Sequence, residues 1–386
     1  MMTTPTPINP AAELVDAVAA LAAVKADLKA AFIERDGDID ALAVAAVAGE
    51  HMLILGPPGT AKSALVKAFS DAMEARYYSI LMTKFTTPEE PFGPLDLARL
   101  RNGEYRRVTT GRFPEAEVAF LDEVFKSSSA ILNNYLTALN EREFDDGGVR
   151  VKIPLQFCVG ASNELPQDEN LGALFDRFLV RRWTRYISDR DNRRALLSMA
   201  GEPKVNATIS AAQMDAIRAA RKRVNTSGII DAILDLSEAM MAEGLEVSDR
   251  RWRKCVKLVQ ASAVMAGRDV ATTEDLMPMA DALWDDPEDA PKVYGMVARM
   301  VSPDLETALR ILDAATSAWT EAGAATADLK DPQVLAGIAE LCRALAGMVE
   351  EMGRLTPSAA INEAGDKVRG MHTAIARRVN AAVLGF

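Results

Sequence analysis

The run Gly56-Pro57-Pro58-Gly59-Thr60-Ala61-Lys62-Ser63 joins a glycine-bounded loop to a lysine and a hydroxyl, the residue types that hold phosphate. Backbone N–H groups of such a loop converge on phosphate oxygens, and a helix that starts here and runs on through Ala64 adds the positive end of its dipole. In this pattern Lys62 faces β and γ phosphates, and the Ser63 hydroxyl ligates Mg²⁺. Ala61 stands where the strict pattern has a second glycine. Alanine tolerates a helical first turn but not a left-handed one, so the spacing predicts right-handed backbone there. The bland alternative is a glycine turn between a core strand and a helix.

Further clusters bear on the same chemistry. Val118-Ala119-Phe120-Leu121 ends in Asp122-Glu123, and the carboxyl end of a buried strand is where parallel sheets present ligand-binding groups. Asp122 would hold Mg²⁺ through its water shell, and Glu123 would polarise an attacking water as general base. A helix N-cap is the other reading of this acidic pair. Gly160-Ala161-Ser162 leads to Asn163, a neutral amide able to position that water and touch the γ phosphate; its alternative role is a turn former before Pro166. Leu171 to Phe178 sets Arg177 at the end of a short helix, facing away from its own nucleotide. There it could stabilise charge on a neighbouring subunit's γ phosphoryl group, or merely pair with Asp176 at the surface.

These residues need a parallel, three-layer α/β frame to bring them together, and the chain from about 51 to 187 reads as one. Five apolar or β-favouring runs are expected as strands: His51 to Leu55, Tyr77 to Met82, Val118 to Leu121, Gln156 to Gly160 and Trp183 to Ile187. Turn signals at Asn102-Gly103 and at Asp146-Gly147 predict two hairpins set into that frame. After Asp189 the pattern turns helical as far as Trp284, which predicts an all-α lid. An acidic cluster, Asp285 to Asp289, then introduces a last region punctuated by Pro303, Pro332 and Pro357, with helices expected over 304–322, 333–353 and 358–383. The division is therefore 1–190, 191–285 and 286–386.

With 386 residues, 49% of them hydrophobic, the chain is long enough to bury cores for two or three domains. A net charge of −11 speaks against a protein that holds nucleic acid mainly by neutralising phosphates. Cys158, Cys255 and Cys342 lie far apart, without zinc or disulfide spacing, as expected in a reducing cytoplasm. The first residues, Met-Met-Thr-Thr-Pro-Thr-Pro, lack a basic region, and no apolar run is expected to reach the ~20 residues of a membrane span. Charges at Glu13, Asp16, Lys25, Asp27 and Lys29 make the alanine-rich stretch 11–31 an amphipathic helix.

On Gly-Pro-Pro-Gly-Thr-Ala-Lys-Ser, Leu-Asp-Glu-Val-Phe-Lys, Ala-Ser-Asn-Glu-Leu-Pro and Phe-Asp-Arg-Phe, in that order, the chain resembles the MoxR family of AAA+ ATPases, and its RavA-like branch in particular, over about residues 35 to 265. The alanine before the lysine is a habit of that family. The resemblance implies an AAA+ P-loop αβα domain with a parallel five-stranded sheet, followed by an all-α lid. It makes Asp122 and Glu123 the Walker B pair, Asn163 the first sensor and Arg177 the finger acting in trans. Val247-Ser248-Asp249-Arg250-Arg251-Trp252 resembles the second-sensor motif, putting Arg250, or alternatively Arg251, over the phosphates when the lid closes. The two hairpins resemble the inserts that line a central pore. A hexameric ring that remodels a client, often with a von Willebrand factor A partner, is the implied function. A nucleotide-gated scaffold and a pore-type DNA translocase are the alternatives, the latter drawing on Arg106, Arg107, Arg150 and Lys152.

Overall fold

In a computed structural model the structure describes residues 10–384 except 128, 166–171, 173, 200, 202, 325, 326 and 328. The N-terminal residues Met1 to Pro7, Pro166, and Leu171 and Ala173 of the short helix expected before Arg177 lie outside the described residues. Among the described residues the strands, in chain order, are β1 (His51–Leu55), β2 (Tyr77–Leu81), β3 (Val118–Asp122), β4 (Glu143–Asp145), β5 (Arg150–Lys152), β6 (Phe157–Ser162) and β7 (Phe178–Trp183). Five of these form one parallel sheet in the order β2-β3-β6-β1-β7. β1 and β6 are buried at every position, and β3 at all but Asp122, which is why these runs are apolar without alternation. The order places β6 between β1 and β3, so three strand ends that carry polar residues meet on one edge.

The last strand of the sheet is Phe178–Trp183, not Trp183 to Ile187 as the sequence predicts. Two arginines disguise it. Arg181 is fully buried, with its guanidinium 3.7 Å from the centre of the Phe175 ring and donating to the Trp284 carbonyl and Asp285. The aromatic run beyond it is largely outside: Tyr186 is exposed. The hairpin expected around Asn102-Gly103 is also absent. Asp96 accepts hydrogen bonds from the N–H groups of Ala98 and Arg99 and so caps a short helix, Leu97–Arg101, leaving a lone bridge between Leu95 and Arg107. The second hairpin forms as expected from β4 and β5, its turn fixed by the Gly148 N–H on Asp145.

The helices that cover the sheet follow from their spacing. α1 (Pro10–Ala31) buries Ala17, Leu21, Val24 and Leu28, a 3- and 4-residue stripe. α2 (Asp36–Ala48) is buried almost throughout, its alanines allowing close approach, and Gly49 ends it in the left-handed conformation. α3 (Lys62–Ala72) follows the glycine loop. α4 (Ala211–Arg221) starts at a capping box of Ser210 and Gln213, and α5 (Asp249–Met265) at Ser248, whose hydroxyl accepts from the Arg251 N–H.

Two compact units result, one of Met1–Ile187, Met199–Asp231 and Val247–Pro287, the other of Ser188–Ser198, Ala232–Glu246 and Glu288–Phe386. In the second unit, helices Pro303–Glu321, Pro332–Met352 and Ala359–Leu384 pack on one another. Pro303 and Pro332 occupy first helical positions, with Ser302 and Asp331 as N-caps. Leu305, Ala308, Ile311, Ile338, Leu341, Leu345 and Val368 of these helices are all buried. Contrary to the expectation that no segment approaches membrane-span length, Pro332–Met352 has the length and apolar composition to cross a membrane.

Candidate functional site

β1 delivers the chain to the glycine loop, and the loop's first residue can only be glycine. Gly56 has φ +141°, and a Cβ there would lie 2.1 Å from the Thr184 carbonyl oxygen. Its N–H donates to Ser162 O at 3.0 Å, tying the loop to β6, and the buried Thr60 donates its hydroxyl to Pro57 O. The right-handed backbone predicted for Ala61 is not found: Ala61 has φ 64° and ψ 23° at the N-cap of α3. A left-handed alanine costs about 1–2 kcal/mol, and the loop holds that strain because its backbone must curl around a central point. Among the described residues, the N–H groups of Gly59 to Ala64 donate to no protein acceptor. Ser63 and Ala64 are exposed at the mouth of this cradle.

Lys62 folds over the loop, its ammonium donating to Gly56 O at 2.7 Å and Pro57 O at 3.0 Å. It also lies 3.4 Å from Asn163 Oδ1, while Asn163 Nδ2 donates to Glu123 Oε1 at 2.6 Å. Lys62, Asn163 and Glu123 therefore form a continuous row across β1, β6 and β3, although Asn163 lies 101 residues from Lys62 and 40 from Glu123 in sequence. Asp122 stands beside this row, accepting the Glu123 N–H at 3.0 Å. Glu123 itself is left-handed at φ 51°, which turns the chain sharply off β3. Burial raises the Asp122 carboxyl above its ordinary value, with repulsion from Glu123 adding to the effect; burial lowers the Lys62 ammonium, against the pull of both acids. A cation beside Asp122 and an anion beside Lys62 would relieve both.

The unused N–H groups, the exposed Ser63 hydroxyl and the paired acids fit a triphosphate with a divalent cation. The oxygen donors of Ser63 and Asp122 are those such a hard cation takes.

Arg177 and Arg250 occupy a different place. Arg177 directly precedes β7, so it stands at the amino end of the sheet, opposite the cradle. Arg250 donates to Asp176, Arg251 Nη2 reaches the same carboxylate at 3.0 Å, and Arg177 lies 3.9 Å from it. Arg250, expected over the phosphates when the lid closes, is held in this structure on Asp176, and α5 runs beneath the amino end, where Lys254 and Lys257 also hold Glu50 at 2.8 and 2.6 Å. The two adjacent arginines share one partner because Asp176 comes from outside their helix. Arg251 is buried and also bonds Ala282 O and Asp285, whereas Arg250 remains 45% exposed.

Sequence reasoning missed Arg35. This buried residue donates Nε to Thr60 O at 3.0 Å and Nη2 to Arg185 O at 2.9 Å, bracing the loop from beneath. Next to it Asp38 accepts from Thr184 Oγ1 at 2.8 Å and Arg182 Nε at 3.3 Å. The only local signal was a charged Arg-Asp-Gly-Asp run at the start of an otherwise apolar helix.

A parallel sheet of this order with the cradle after β1 and acids after β3 defines an AAA+ αβα fold. A solved structure of a candidate ATPase from Cytophaga hutchinsonii shares it, with a TM-score of 0.60 at 19% identity over 75% of this chain and 96% of that one. Residues 19–221 match the model of the MoxR domain in the MoxR-vWA-beta-propeller ternary systems, and residues 228–297 match an AAA lid domain. Two uncharacterized proteins of Methanocaldococcus jannaschii are 39% and 38% identical over 69% and 70% of this chain, covering 70% and 73% of their own lengths. The structural protein ORF618 of Acidianus two-tailed virus is 31% identical over 40% of this chain and 26% of its own. The chain belongs to the MoxR family of AAA+ ATPases.

Proposed function

We propose that this protein binds ATP in the loop Gly56 to Ala64 and hydrolyses it at a site shared between copies of the chain. The observation that carries this reading is the row Lys62–Asn163–Glu123 beside Asp122. In it Lys62 binds the β and γ phosphates, the loop N–H groups orient them, Asn163 positions a water and Glu123 accepts its proton. Mg²⁺, held by Ser63 and Asp122, supplies charge neutralisation on the phosphate oxygens when bound.

Completion requires a second copy. Arg177 and Arg250 stand at the end of the sheet opposite their own cradle, which supports a role for both on a neighbour's nucleotide. Arg250 is the better second sensor, since Arg251 is buried and held by three partners. Head-to-tail repetition of this contact closes a ring, and a hexamer is our reading of its size. The motor then works on a protein client, with a von Willebrand factor A protein as the partner that the matched family model favours. The RavA-like branch rests on motif resemblance alone. We assign the helices after 286 to ring support or client recruitment. We read the setting as cytoplasmic from the wide spacing of Cys158, Cys255 and Cys342 in the sequence.

A nucleic-acid translocase draws less support: Arg106 is bonded to Asp146, Arg107 to Gly93 O and Arg150 to Glu141, so these basic groups are engaged within the chain. Phosphate release by wild-type protein and by Glu123→Gln separates hydrolysis from a gated scaffold. The motor reading expects release to fall at least a hundredfold in the variant with ATP still bound; equal rates would sink it.

A further inference from the structure

We infer a second anion site, for a small phosphorylated molecule, in a cavity beneath the amino end of the sheet. The cavity has a volume of about 520 Å³, and its polar wall is Arg142, Gln156, Arg218, Arg221, Lys222 and Lys257 with one carboxylate, Asp215. It lies next to Gly49, before β1, whereas the cradle follows β1, so the two sites are separated by about 17 Å, the length of five extended residues. The volume falls within the ~300–1,000 Å³ usual for small-molecule sites.

Charge on the wall is unbalanced. Glu50 is shared by Lys254 and Lys257 and attracts Arg142 and Arg221 from beyond ion-pair distance, and Asp215 lies 3.7 Å from Arg218; among the described residues no carboxylate is within ion-pair reach of Arg142, Arg221 or Lys222. Arg142 and Arg218 are anchored by neutral acceptors: Arg142 donates to Gly49 O, Gln156 O and Leu139 O, and Arg218 to Ala46 O and the Gln156 amide. Arg221 is different. It is 8% exposed, and among the described residues its Nε, like Arg218 Nη2, is buried without a hydrogen-bond partner. Buried N–H donors without an acceptor are uncommon in folded proteins, and an anion bound here would satisfy both. Burial lowers the Arg218 guanidinium, and repulsion from Arg142 and Arg221 adds to this against the pull of Asp215.

The forked, planar donors of clustered arginines match tetrahedral oxyanions, which selects phosphate over a neutral ligand. Two phosphoryl groups suit three unbalanced cations better than one does. An acidic segment of a second copy is the competing occupant, and the test separates it.

Inorganic pyrophosphate is titrated calorimetrically into the full chain already saturated with ADP, at constant ionic strength. One additional binding event is expected, weakened at least tenfold by Arg221→Gln and by Lys222→Ala, and unmoved by Lys62→Ala in the same ADP-containing buffer after correction for filling of the emptied cradle. Arg221→Lys should restore part of the affinity. Lys222 is exposed, so its variant keeps the test valid if Arg221→Gln does not fold. No binding in the presence of ADP overturns the inference, as does an unchanged Kd in both variants. Equal binding of citrate overturns the assignment to phosphate. A change in oligomeric state with pyrophosphate affinity intact assigns the cavity to a second copy instead. Hydrolysis of ATP plays no part in this readout, so its failure would leave the anion site standing.

Discussion

The two ends of the same five strands handle polar groups in opposite ways. At the carboxyl end, donors and acceptors are left available: loop N–H groups point at no protein acceptor, Ser63 is exposed, and two non-glycine residues, Ala61 and Glu123, are held left-handed. At the amino end, most polar groups are satisfied by the chain itself. His51 Nδ1 accepts from the Cys158 N–H at 2.9 Å, while its Nε2 lies 2.8 Å from Leu139 O and 2.6 Å from Arg142 Nη1. Arg142 ties together three carbonyls from separate segments. A reactive end keeps unmet hydrogen-bonding capacity, and a structural end removes most of it, whereas left-handed non-glycine residues occur at both, Arg142 at φ 56° among them. Arg221 breaks the second half of that rule, which is why the ligand inference attaches to it.

Substitutions at each end should therefore separate activity from stability. The largest effect is expected at Arg177, which is at the amino end but assigned to a neighbour's chemistry. Arg177→Ala should lower kcat by about 10³–10⁵ with little change in ATP affinity. Mixing it with Glu123→Gln protein should recover activity above either variant alone; a mixture as inactive as its components would refute catalysis in trans.

Arg142→Gln probes the structural end. Freeing three carbonyl partners should cost about 3 kcal/mol, read as a lower urea midpoint, while ATP affinity is retained. A stable variant that had lost ATP binding would invert the comparison.

A smaller effect is expected from acid. Burial, and then the charge of Arg142, push His51 well below its ordinary value. Because the folded value is depressed, the contribution of neutral His51 to stability is complete above the unfolded value of about 6.5 and is lost as pH falls below it, at up to about 1.4 kcal/mol per pH unit. Urea unfolding of wild type and His51→Gln across pH 7.5 to 5 measures this; parallel curves would show that His51 does not titrate on unfolding.

The smallest effect belongs to the strained loop. Ala61→Gly should relieve the left-handed penalty and stabilise by about 1 kcal/mol or less, part of the gain being offset by the freer unfolded chain. A lower melting temperature would mean that the alanine methyl packs on something the loop requires.

Much of the cradle was legible because its chemistry is encoded in consecutive residues. Gly56 to Ser63 require a turn, donors, a cation and a hydroxyl in one order, and Asp122-Glu123 and Asn163 each end a run apolar enough to be a buried strand. Local letters also explain the two misreadings of the sheet frame. Trp183 to Ile187 is rich in β-favouring types, yet the strand is the run whose Arg181 finds a buried ring and carbonyl that no local window contains. Asn102-Gly103 signals a hairpin, but Asp96 offers the preceding residues a helix cap instead.

The amino-acid order alone determined the kind of chemistry, the parallel α/β class and the helical character of the C-terminal region, because motif spacing and hydrophobic period are local properties. Only the tertiary structure decided which polar groups meet. Insertion of β6 between β1 and β3 lets Asn163 bridge Lys62 and Glu123, and the path of α5 beneath the amino end turns Arg250 away from its own cradle. Arg35, and the cation cavity drawn from α2, α4, α5 and the approaches to β4 and β6, likewise depend on segments brought together from far along the chain. Such contacts are set by strand order and helix packing, whose energies are summed over the whole core and so are not written in any short stretch.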